Sequence, residues 1–132
     1  MQLMSNVRHL WRLLVQVVGV GTFCEHPGYW ESYPERLNGA VLSIESNDIS
    51  VEQQELSRYI CSNWEEVLAL SLNYIESHRE NYGLQAKTFK DPGVFIQSGE
   101  EWSIYFDTNN EYEAVVGIEF RGIQPFQMII GD

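Results

Sequence analysis

The chain has 132 residues, a size that fits one domain able to bury roughly two-thirds of its unfolded surface without help from a metal or a disulfide. Hydrophobic residues make up 44% and charged residues 20%, which excludes an intrinsically disordered chain. The formal charge of −11 argues against nucleic acid or an anionic membrane surface as partner, because phosphate binding needs clustered Lys and Arg.

The first stretch, Met1 to Leu14, reads as a short helix, with Val7, Leu10, Trp11 and Leu14 recurring at helical spacing. Arg8 and Arg12 precede an apolar run, Leu13 to Val20, that superficially mimics a secretory signal. Gln16 interrupts the run, no small-x-small cleavage site follows it, and it is far short of the ~20 residues that span a bilayer. A buried first element in a cytoplasmic protein is the expectation, with residues 1–19 as an N-terminal extension of a single domain. Val15 to Phe23 is β-branched, which predicts a strand with a bulge at Gly19 or Gly21.

A Pro27-Gly28 turn, a short strand over Tyr29 to Tyr33 and an Asn38-Gly39 turn come next. Ala40 to Ser46 alternates apolar and polar, as a strand with one buried face does. Ser50 and Gln53 have the spacing of a capping box, in which each side chain satisfies the other's free backbone N–H. From there Leu56, Tyr59, Ile60, Trp64, Val67, Leu68, Leu72 and Ile75 keep a helical period up to a natural stop at Gly83. The capping spacing repeats at Asn63 and Glu66, which allows a break near Ser62. Leu84 to Asp91 is expected to be extended and exposed, and Asp91-Pro92-Gly93 to be a turn. Strands are predicted over Val94–Gln97, Trp102–Asp107, Ala114–Phe120 and Phe126–Ile130, with Trp102, Ile104, Phe106, Ile118, Phe120 and Ile129 expected to form the sheet face under the long helix. The fold class is therefore α+β, a mainly antiparallel sheet against one long central helix, with a break in it allowed near Ser62–Asn63, and a short N-terminal helix.

The charge is unevenly placed. Residues 1–50 and 51–90 each carry a net −2, whereas residues 91–132 hold eight acids against Arg121 alone, a net −7. Asp107, Asn109, Glu111 and Glu113 alternate like ligands of a calcium loop, but Tyr112 and Ile118 stand where such a loop needs Gly and Glu. No metal and no cofactor is expected. Glu65/Glu66, Glu100/Glu101 and Glu111/Glu113 would furnish a carboxylate pair for hydrolysis on paper, although an acid-rich surface offers such pairs by accident. There is no nucleophile elbow, no CxxC, and no dinucleotide loop around Gly19-Val20-Gly21. Cys24 and Cys61 read as reduced thiols.

A strand, a long helix after a capping box, a basic extended segment, then W-x-I-x-F-D (102–107), an acidic loop and a terminal V-G-I-E-F … I-I-G-D hairpin form a recognisable series. From Val20 to Asp132 it resembles small bacterial α+β domains of unknown function found near polymorphic-toxin and contact-dependent-inhibition loci, many of them regarded as immunity proteins. Such domains carry an acidic-Glu-His-Gly motif before the penultimate strand. Glu113-Ala114-Val115 stands there instead, so no functional residue is carried over. The resemblance implies a non-enzymatic protein that binds and neutralises a cognate toxin. The acidic surface implies that this partner is basic and drawn in by electrostatic steering. Asp107, Glu111, Tyr112, Glu113 and Glu119 are the expected contacts, with Trp102 and Tyr105 as aromatic anchors where they are not buried. The alternative is a stand-alone structural or regulatory domain, forming a homodimer through an edge strand or the wide helix stripe.

Overall fold

The computed structural model describes residues 12–132. The expected N-terminal helix lies largely outside these residues, but Leu14, its last member, opens a strand. Along the described chain run β1 (Leu14–Val17), β2 (Gly21–His26), β3 (Tyr29–Ser32), a 3-10 turn (Glu35–Leu37), β4 (Val41–Ile44), α1 (Val51–Ser62), α2 (Trp64–Tyr82), β5 (Lys90–Ile96), β6 (Glu101–Asp107), β7 (Val115–Arg121) and β8 (Gln124–Gly131).

The eight strands form one sheet in sequence order. Every neighbouring pair is antiparallel except β4 and β5, where Leu42 faces Val94 and Ile44 faces Ile96 in parallel register. A parallel pair needs a crossover, and α1 and α2 supply it. The architecture is α+β, as expected. The long helical stretch is two helices, broken at Asn63 where the repeated capping spacing allowed a break. At Asn63 the side-chain amide donates to the Tyr59 carbonyl (2.9 Å), taking up a helix-end acceptor and letting the chain change direction. Residues 14–19 are not an extension: β1 is a sheet member, and Gly19 (φ 84°) turns the chain back into β2, dividing the one strand expected there.

Period-two alternation sorts the strand side chains onto two faces. Leu42, Ile44, Val94, Ile96, Trp102, Ile104, Phe106, Val116, Ile118, Phe120 and Met128 are buried in one core with Leu56, Ile60, Val67 and Ile75 from the helices. Trp102 stacks on Phe120 with ring centroids 4.1 Å apart, and its indole N–H donates to the Gly122 carbonyl (2.7 Å). Ile129, expected in this layer, points the other way and Met128 takes its place. The cause is a register shift between Glu119 and Phe120 that changes the parity of β8. The segment expected as an exposed linker is partly core, with Leu84 and Ala86 buried. Asp91-Pro92-Gly93 is an irregularity within β5, Asp91 at φ 51°, and not a turn between elements.

Among the described residues, no helix lies on the second sheet face. Ser43, Phe95, Ser103 and Glu119 lie in one row across it, and Val41, Gly93, Tyr105, Gly117 and Ile129 in the next. Tyr105 lies so close over Gly117 that a Cβ there would meet its ring at 2.5 Å. Among the described residues no helix is long and apolar enough to cross a membrane.

Candidate functional site

The five acidic-surface residues predicted from the sequence do not form one patch. Asp107, Glu111 and Tyr112 are exposed at the β6–β7 loop, Tyr112 being 79% exposed. Glu113 is in the same loop, but its carboxylate is engaged: Oε1 accepts from the amides of Gln85 (3.0 Å) and Ala86 (2.7 Å), and Oε2 from Gln85 (3.1 Å). Glu113 therefore pins the helix-to-β5 segment against the loop. Asn110 shapes the loop, its side-chain oxygen accepting from the amides of Tyr112 (2.9 Å) and Glu113 (3.1 Å). Glu119 sits on the open face near the other end of the sheet and accepts from the Gln127 amide group (2.9 Å). Of the two proposed anchors, Trp102 is 1% exposed and cannot reach a partner, whereas Tyr105 is half-buried on the open face.

A larger concavity lies at the end of the sheet opposite that loop. The first turn of α1, the β5–β6 hairpin and the β7–β8 turn enclose a groove of about 820 Å³. Its construction follows from two residues. Gln53 completes the capping box, its side-chain oxygen accepting from the Ser50 amide (2.9 Å) while the Ser50 hydroxyl accepts from the Gln53 amide (3.0 Å). The same side chain then donates to the Gln97 carbonyl (3.1 Å), which ties the helix start to the hairpin. Gly99 permits the approach, since a Cβ at that position would stand 2.5 Å from the Glu52 Cβ.

Glu52, Glu55, Glu100 and Glu101 line this groove, with Leu56, Tyr59 and Ile123 as its apolar parts. All four carboxylates are exposed. The ion-pair contacts among the described residues are His26–Glu31 (3.8 Å) and Arg79–Glu76 (3.1 Å), and neither involves the groove. Arg121 is the cross-strand neighbour of Glu101, but its guanidinium lies over the Phe126 ring, 4.7 Å from the centroid. Four exposed acidic residues therefore line one concavity that also has apolar walls.

No group of three or more His, Cys, Asp or Glu among the described residues is placed to hold a metal ion. Cys24 and Cys61 are free thiols. Burial raises the Cys61 thiol to about 11, against the opposing pull of Arg36, so it stays protonated at neutral pH and is not a nucleophile. No protein-family model matches the chain, and no curated protein or solved structure matches it. The groove was hard to find in sequence because four separate segments build it. Its one local signal was the Ser50–Gln53 capping box, which marks a helix start but not what that start faces.

Proposed function

We propose that this protein is a non-enzymatic, immunity-type protein that binds and neutralises a cognate basic toxin, and that the acidic groove between α1 and the β5–β6 hairpin is the contact surface. The observation that carries the reading is the set of four exposed acidic residues, Glu52, Glu55, Glu100 and Glu101, lining one concavity with no ion pair among the described residues. A basic protein gains on-rate from such a field, and an inserted Arg or Lys gains charge-assisted hydrogen bonds at its destination. The carboxylates are open to water, which suits recognition of a cation better than proton transfer from a shielded acid.

The test is co-purification with the product of the neighbouring gene, followed by calorimetry of the pair. Changing Glu52, Glu55, Glu100 and Glu101 together to Gln is expected to weaken binding by at least ~100-fold, about 2.7 kcal/mol. Changing Asp107 and Glu111 to Asn and Gln should leave it within a few-fold. A neighbour that is not toxic, or whose toxicity is unchanged by co-expression, ends the immunity reading. Loss of binding only in the Asp107/Glu111 variant moves the contact to the β6–β7 loop.

A further inference from the structure

One flank of the molecule departs from the acidic character of the rest. β8 is an edge strand, paired with β7 on one side and with no strand among the described residues on the other. From Gly122 to Gly131 it contains no ionisable side chain. α2 adjoins this edge, and its Tyr82 hydroxyl accepts from the Met128 amide (3.3 Å). The α2 residues on the same side by helical period, Leu70, Asn73, Tyr74, Ser77, His78 and Tyr82, include no carboxylate, Lys or Arg. Leu70, Tyr82, Phe126 and Ile129 are each 38–41% exposed here. Natural sheet edges are usually guarded by charge, by proline or by a bulge. Pro125 and the register shift at Glu119/Phe120 guard only the start of β8, which leaves Phe126 to Ile130 open.

The backbone of this stretch is suited to pairing. The Met128 amide points away from β7, towards Tyr82, and alternation along the strand directs the Ile130 amide the same way. In a chain of net charge −11, a flank free of charge is where an identical chain approaches with least repulsion. A basic partner, by contrast, finds no carboxylate on it to bind.

We propose that the β8 edge is a self-association surface: a second copy of this chain lays its own β8 antiparallel to the first about a two-fold axis, joining two sheets while the α2 flanks meet alongside. An antiparallel edge is complementary to itself, so one patch serves both copies. Tyr82 is a placeholder that satisfies the Met128 amide in the lone chain. On pairing, that amide passes to a carbonyl of the partner strand, and the Tyr82 hydroxyl turns to solvent, since Tyr82 is 40% exposed. The acidic groove opens at the strand ends, so association leaves it free, and this inference stands independently of the toxin reading.

Sedimentation equilibrium of the full chain, from micromolar to near-millimolar concentration, is the experiment. The expected result is a mass rising to twice that of one chain. Ile129→Lys brings like charges together across the two-fold axis and is expected to weaken the dimer at least tenfold, with circular dichroism confirming that the variant is folded. Gln127→Lys does the same at an exposed polar position and serves if Ile129→Lys fails to fold. Tyr82→Phe removes the competing acceptor and is expected to tighten the dimer several-fold. A single-chain mass at every concentration overturns the proposal, and so does a dimer indifferent to both lysine substitutions.

Discussion

The two ends of the sheet carry similar residues and use them differently. At the β6–β7 end, Glu113 spends its carboxylate on the Gln85 and Ala86 amides, and Asn110 spends its side chain on the loop backbone. At the other end, the backbone needs of α1 and the hairpin are met by the neutral pair Ser50 and Gln53, and the four carboxylates around them form no ion pair among the described residues. Composition therefore does not locate a binding surface. What matters is which acids the fold consumes and which it leaves over.

Mutations can break this contrast in order of expected effect. Trp102→Ala removes the side chain that backs the groove and holds the β7–β8 turn through Gly122, and should cost ~3–5 kcal/mol in urea unfolding. Glu113→Ala, which orphans two amides, should cost ~1–3 kcal/mol, with Glu113→Gln recovering part of the loss. Gly99→Val should cost ~1–3 kcal/mol by forcing the hairpin from Glu52, and should weaken toxin binding as well. The individual substitutions Glu52→Gln and Glu100→Gln should move stability by no more than ~0.5 kcal/mol while lowering affinity, the reverse of Glu113. If Glu113→Ala proves neutral to stability, the two ends are alike and the contrast fails.

A pH titration sharpens the same point for the interior. The Cys61 thiol is raised from 9.0 to about 11 by burial, so the unfolded chain releases this proton at lower pH than the folded chain does. Stability should be insensitive to Cys61 below pH 9 and should fall as the pH rises from there towards 11. Cys61→Ala should flatten that part of the profile, read from thermal melts at pH 8, 9 and 10.

Much of the fold was legible locally. The capping box, the helical period from Leu56 to Ile75, and the alternation in Trp102–Asp107 each sit within one segment, and the structure realises them. The departures arise where a distant residue decides. Nothing local distinguishes a bulge at Gly19 from a turn there. The buried Leu84 and Ala86 follow a capped helix and read as linker until Glu113 is seen to hold their backbone. The parity of β8 depends on a shift across from Glu119, which exchanges Met128 for Ile129 in the core. Of the predicted contact residues, Asp107, Glu111 and Tyr112 lie where a partner can reach them, whereas Trp102 takes the place under the helices that its strand alternation indicated.

The lone parallel pair has a kinetic consequence. β1–β4 and β5–β8 are each antiparallel meanders built from neighbours in sequence, and only the β4–β5 seam joins them, across residues 45–89. Each meander can zip up locally, whereas the seam must wait for a long loop to close and for both helices to dock. The amides of Leu42, Ile44, Val94 and Ile96 that cross the seam should then exchange through parting of the two halves, a smaller opening than the unfolding of either meander. The molecule would fold as two halves that meet late, with its middle strands the last to form and, on the reverse path, the first to part.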